Sequence, residues 1–185
     1  MPSPPIPMPD VVIDSTLARL SFGSKPNASV NLLIFGDYEC RNTEVDWPMI
    51  KALRKDYDGK INIAYRQFPL NTHPHAAAAA RAAYCAEEQG KFWEYSDVLF
   101  ENQANLQDED LLSYASSLKL DPVAFTDCFR GENSRTAISG DVQFALTHNV
   151  RGTPTYFING KRFEGVQEES LLRNIIDATI QSNGQ

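Results

Sequence analysis

The sequence predicts an α/β domain with the element order β-α-β, a run of helices, then β-β-α. Three observations carry that prediction. The stretch "NLLIFGDYECRNTEVDWP" (31–48) passes from an apolar run of strand length into a helix. From His73 to about Asn149 the apolar residues recur at helical spacing. "TYFI" (155–158) then restores a strand, and Asn159-Gly160 is a hairpin signal ahead of a short "KRF" strand.

Each element has a local reason. Residues 1–12 hold five prolines and form a stiffened arm outside the core. "VNLLIF" is apolar almost without a break, as a central buried strand requires. A helix follows from about Cys40 to Lys55, with Pro48 inside it as a kink. "DYDGK" is turn chemistry, and in "INIAYRQF" Ile61, Ile63 and Tyr65 alternate with Asn62, Ala64 and Arg66.

The helical run divides into five. "HPHAAAAARAAYCAEEQG" has Pro74 in its first turn and Gly90 past its end. Residues 91–102 set Phe92, Tyr95 and Leu99 on one face, and Phe92, Trp93 and Tyr95 read as packing between these helices and the sheet. After the acidic "DED", Leu111, Leu112, Ala115 and Leu118 share a stripe. "DPVAFTDCFRG" starts on Asp-Pro and aligns Phe125 with Cys128 and Phe129; about 134–148 faces inward through Ile138, Val142 and Ala145. The last helix, about 168–181, presents Leu172, Ile175 and Thr179. With the helical run set aside, β-α-β…β-β-α is the thioredoxin arrangement: a core of 13–70 and 150–185 with a helical insertion at 71–149.

The totals agree with one soluble domain of 185 residues, long enough to bury roughly 70% of the surface the unfolded chain exposes. A net charge of -7 with no Lys/Arg cluster argues against nucleic acid or an anionic membrane as partner. No apolar run approaches a membrane span, and "MPSPPIPMPDVV" has neither the basic nor the apolar region of a secretory signal, so the expected location is cytoplasmic. In that location Cys85 and Cys128 are expected as reduced, buried thiols, with a disulfide between them as the alternative. His73 and His75 flank Pro74 without further ligands at metal spacing; they cap a helix or line the rim near Cys40, and no metal or bound cofactor is expected.

Cys40 draws the chemistry. A cysteine at a helix start meets unpaired backbone N–H groups and the positive end of the helix dipole, which favour thiolate. Arg41 adds positive charge, while Asp37 and Glu39 oppose it. The second candidate is Gly152-Thr153-Pro154, immediately before a strand. On local sequence the Thr153–Pro154 bond is expected to be trans, since only about 5–6% of such bonds are cis.

Together "FGDYEC" with proline eight residues on, "YRQFPL…HPHA", "CAEEQGKFWE", "GTPTYFING" and "EG" resemble the DsbA-like thioredoxin-fold thiol-disulfide oxidoreductases over about residues 16–180. The resemblance implies a nucleophilic Cys40, a cis Pro154 loop facing it, and Thr153, Pro154, Arg41 and Asn42 as substrate-binding residues. It also raises the disulfide alternative for Cys85 and Cys128. One departure is central. The family pattern has a second cysteine where this chain has Thr43, in Cys40-Arg41-Asn42-Thr43. Monothiol chemistry follows: mixed disulfides with protein thiols, protein disulfides or glutathione as co-substrate, with the Thr43 hydroxyl donating to the Cys40 thiolate. The rival expectation is a redox-inactive peptide-binding or chaperone-like module. A glutathione-conjugating enzyme is a third, for which no electrophile pocket is visible in the sequence.

Overall fold

The computed structural model describes residues 21–22 and 28–183, so the proline-rich arm expected at 1–12 lies outside the described residues. The elements are β1 (Ser21–Phe22), β2 (Val30–Gly36), α1 (Arg41–Asp56), β3 (Ile61–Gln67), α2 (Ala76–Glu87), α3 (Phe92–Glu101), α4 (Asp108–Ser117), α5 (Pro122–Arg130), α6 (Glu132–Thr147), β4 (Thr155–Ile158), β5 (Lys161–Glu164) and α7 (Glu169–Asn183). They build the mixed α/β thioredoxin fold. The sheet order is β1-β3-β2-β4-β5, with β2 parallel to β3 and antiparallel to β4. The two-residue β1, antiparallel to β3, has no sequence signal of its own.

Strand alternation sorts the core onto two faces. Leu32, Ile34, Ile63 and Tyr65 face one way, against Trp47, Ile50 and Leu53 of α1 and Leu172 and Ile176 of α7. Leu33, Phe35, Ala64 and Phe157 face the other, where Ala145 of α6 and Val150 cover them. In α7 the buried positions are Leu172 and Ile176, and the expected Ile175 and Thr179 are only half-buried. Slight rotation of the helix accounts for the difference, because the i, i+4 pair points most directly at the sheet.

Local chemistry explains the boundaries. Asp121 accepts hydrogen bonds from Val123 N (2.9 Å) and Ala124 N (2.8 Å), capping α5, whose first residue is Pro122. Asn159 and Gly160 both have positive φ (46° and 88°), which closes the β4–β5 hairpin. α2 begins at Ala76, three residues later than the sequence suggests, because residues 71–75 form turns that anchor the candidate site. Trp47 stacks on Trp93 (6.1 Å) and Phe92 tilts onto Tyr65 (5.7 Å), so α3 docks on α1 and the sheet through aromatic rings.

Candidate active site

β2 ends at Gly36, and the chain turns through Asp37-Tyr38-Glu39 to Cys40, the N-cap residue of α1. The turn is closed by Cys40 N donating to Asp37 O (3.1 Å). Gly36 is required here, because a Cβ would lie 2.0 Å from the Tyr65 hydroxyl oxygen. Opposite, β4 pairs antiparallel with β2 and starts right after Pro154, and the Thr153–Pro154 peptide bond is cis. The local-sequence expectation of a trans bond is therefore overturned. Pairing β4 with β2 brings together residues 113 positions apart: the Cys40 thiol donates to Thr153 O at 3.3 Å.

Of the six candidate residues, Cys40, Thr43, Thr153 and Pro154 are buried, whereas Arg41 and Asn42 are exposed at the helix start. Arg41 pairs with Glu44 at 3.0 Å and leans along the helix surface. Thr43 is fully buried, and its hydroxyl has no hydrogen-bond partner, so the expected bond to the Cys40 sulfur is not formed in this structure. Thr153, expected as a substrate-binding residue, has its carbonyl engaged by the Cys40 thiol, and its own hydroxyl is buried without a partner.

Sequence reasoning missed the scaffold around the turn. Asp37 is buried and accepts from Glu39 N (2.7 Å) and Leu70 N (2.8 Å), with His73 Nδ1 at 2.7 Å from the same carboxylate. Glu39 reaches His75 N (2.8 Å). The two histidines thus lie at the rim through Asp37 and Glu39, with His75 at the N-cap of α2 and no side-chain cap bond. Gln103 donates to both Tyr38 O (2.9 Å) and Cys40 O (3.1 Å). Beneath the site, the Tyr156 hydroxyl donates to Asp46 Oδ2 (2.6 Å), which also accepts from Gln167 N (3.1 Å). Burial pushes the Asp46 carboxyl above its ordinary pKa, and those two donors pull it back only in part. Asp37, in "GDYEC", was legible only as a charge; nothing marked Gln103, Tyr156 or Gln167.

Among the described residues no group of three or more His, Cys, Asp or Glu side chains is placed to hold a metal ion. Nor is any described helix long and apolar enough to cross a membrane. Cys85 and Cys128 form a disulfide (S–S 2.01 Å, Cα–Cα 5.7 Å), which ties α2 to α5 and corrects the expectation of two reduced thiols. Cys40 is the free cysteine.

Comparisons with known proteins agree with this architecture. The Na(+)/H(+) antiporter NhaA 1 of Salinispora arenicola is 38% identical over 139 residues, which is 75% of this chain and 21% of that protein. The chain thus spans about a fifth to a quarter of the length of the curated relatives it matches. Among solved structures, the thiol-disulfide exchange protein alpha-DsbA2 from Wolbachia pipientis superposes with a TM-score of 0.78 at 23% identity, covering 88% of this chain and 87% of that one. A periplasmic thioredoxin-like protein from Salmonella enterica serovar Typhimurium gives 0.75 at 20% identity, covering 88% and 90%. The expected cytoplasmic location is overturned by that likeness to a periplasmic protein together with the Cys85–Cys128 bridge, which is characteristic of oxidising compartments. A family model described as thioredoxin matches residues 18–178, and the chain belongs to that family.

Proposed function

We propose that the chain is a thiol-disulfide oxidoreductase or isomerase that works through Cys40 as a single thiol, outside the cytoplasm. One observation carries the reading. Cys40 is free at the N-terminus of α1, against Thr153 of the cis-Pro loop, while Cys85 and Cys128 are bonded to each other. A thiol in that place has a backbone loop ready for substrate and has no internal partner at position 43. The likeness to a thiol-disulfide exchange protein supports the same direction.

The steps balance as exchange. The Cys40 thiolate attacks one sulfur of a protein or glutathione disulfide; the other sulfur leaves as thiolate, and a mixed disulfide remains. An external thiol, glutathione or a protein cysteine, then attacks the substrate-side sulfur and restores the Cys40 thiolate. Loss of the thiol hydrogen in the first step also breaks the Cys40–Thr153 hydrogen bond, which frees the Thr153 carbonyl to accept an N–H from the substrate backbone. Arg41 and Asn42, exposed beside the sulfur, meet the substrate surface. The unpartnered Thr43 hydroxyl, three residues into the helix from the thiol, is available to the thiolate once that forms. No bound cofactor takes part.

The test is adduct formation. Incubation with oxidised glutathione should give one glutathione adduct by intact mass, absent from Cys40→Ser, and the adduct should turn over on a glutathionylated peptide when reduced glutathione is supplied. No adduct, together with thiol alkylation that follows pH as a free cysteine does, would overturn the reading in favour of a redox-inactive peptide-binding module on the same fold.

A further inference from the structure

We infer that Gln103 is a positioning residue for the Cys40 thiol, supplied by the turn after α3; this rests on the reading of Cys40 as the reacting group. Its amide nitrogen carries two hydrogens, and the structure uses both. One goes to Tyr38 O at 2.9 Å and the other to Cys40 O at 3.1 Å. Cys40 O already accepts Glu44 N at 3.1 Å, the first hydrogen bond of α1. Gln103 therefore grips the last carbonyl before the helix and the carbonyl two residues earlier, across the turn that Cys40 N and Asp37 O close at 3.1 Å.

The grip comes from a fixed place. The Phe100 ring of α3 packs 5.0 Å from the Tyr38 ring and 4.4 Å from the Trp47 ring, anchoring the end of α3 on the turn and on α1. Beyond Phe100 the chain is tied by Asn102 N to Leu99 O (3.2 Å), Asn102 Nδ2 to Val98 O (2.8 Å) and Asn105 N to Asn102 O (2.8 Å). From the other flank Asp37 and Glu39 tie the same turn to the segment 70–75. Gln103 is the neutral member of this bracing. By fixing the Tyr38 and Cys40 carbonyls it sets the direction in which the Cys40 Cβ projects Sγ towards Thr153 O. Misplacement of a reacting atom by about 1 Å can cost on the order of 100-fold in rate, so a turn held by both flanks is a condition for exchange.

The experiment uses the full chain with Gln103→Met, which fills similar space without donors, and Gln103→Glu, which keeps the shape and replaces the donors with acceptors. Three quantities are read: the second-order rate of mixed-disulfide formation with oxidised glutathione, the rate of iodoacetamide alkylation between pH 5 and 9, and the urea midpoint. Both variants should form the mixed disulfide about tenfold more slowly, and the alkylation profile should move to higher pH in the order wild type, Met, Glu. Should Gln103→Met fail to fold, Gln103→Asn, which keeps the amide and shortens its reach, takes its place. A lowered urea midpoint with unchanged alkylation profile and exchange rate assigns Gln103 a structural role only and overturns the inference. Cys40→Ser is run alongside. If it still forms the glutathione adduct, the reading of the reacting thiol fails; if it loses the adduct while the Gln103 variants match wild type, the positioning inference alone fails.

Discussion

Removing the Cys85–Cys128 bridge should cost a large share of the stability without touching the candidate site. The two cysteines are 43 positions apart and join α2 to α5. In the chain-entropy account, closing a loop of that length restricts the unfolded chain by about 4 kcal/mol at 25 °C. Cys85 is also fully buried within the main core cluster, which holds Phe125 and Phe129 of α5 as well. Truncation to alanine therefore adds a packing loss of about 1 kcal/mol, whereas reduction leaves the sulfur in place. The reduced wild type should then lose about 4 kcal/mol and the double variant Cys85→Ala/Cys128→Ala about 5 kcal/mol. Domain stabilities lie at about 5–15 kcal/mol, so either loss is a large share of the total. Urea unfolding followed by Trp47 and Trp93 fluorescence measures all three forms. Thiol titration in denaturant should count a single cysteine in the oxidised chain, Cys40. Three titratable thiols, or a gap below about 1 kcal/mol between oxidised and reduced protein, would refute the reasoning.

Three further outcomes follow from single contacts. Gly36→Ala places a methyl 2.0 Å from the Tyr65 hydroxyl oxygen and 2.5 Å from its ring carbon, so it should destabilise by about 3 kcal/mol in thermal unfolding. Adding Tyr65→Phe should recover only part, and full recovery would mean that the ring itself moves freely. Thr43→Val replaces a buried, unpartnered hydroxyl with a methyl; stability should hold or rise by about 1 kcal/mol, while Cys40 alkylation near neutral pH slows. Faster or unchanged alkylation would remove Thr43 from the thiolate's support. Asp46 has a folded pKa raised by burial, so the folded state holds its proton more tightly than the unfolded chain does. Its burial is harmless in acid and destabilises increasingly as pH rises from the ordinary aspartate range through the raised folded value. Asp46→Asn keeps an oxygen for Tyr156 and Gln167, and its stability gain over wild type should be near zero in acid and positive at pH 7; a gain confined to acid would contradict the assignment.

Much of the fold was legible because it is written in local chemistry. An almost unbroken apolar run became the central β2, Asp121-Pro122 began α5, and Asn159-Gly160 closed a hairpin. The candidate site was legible only halfway. Cys40 could be placed from the strand-to-helix step, but its contact with Thr153 depends on how β4 pairs with β2 across 113 positions, which no local pattern states. Residue type alone gave no sign that Gln103 would grip the turn, since a glutamine after a helix is ordinary on any surface. The Cys85–Cys128 bridge was open for the same reason: it depends on how α2 and α5 cross. Asp46 and Tyr156 look like a helix-surface carboxylate and a strand aromatic until the packing of β4 on α1 puts 2.6 Å between them.

The sequence posed a charge problem at Cys40, with Asp37 and Glu39 set against the helix dipole and Arg41, and the geometry shows how it is answered. Asp37 is engaged by Glu39 N, Leu70 N and His73. Glu39 is taken by His75 N, and Glu44 by Arg41, whose guanidinium is thereby held along the helix surface. Each acidic group near the thiol thus has a donor of its own, the Thr153 carbonyl accepts from Sγ, Cys40 caps the start of α1, and the unpartnered Thr43 hydroxyl lies buried three residues further along the helix. A carbonyl suits the thiol form, because it accepts the S–H; a hydroxyl and helix N–H groups suit the thiolate, because they donate. The thiol therefore has its partner in the Thr153 carbonyl, and the thiolate has the start of α1. Exchange through one cysteine needs that, since the same atom must wait as a thiol, attack as a thiolate and leave again when the second thiol arrives.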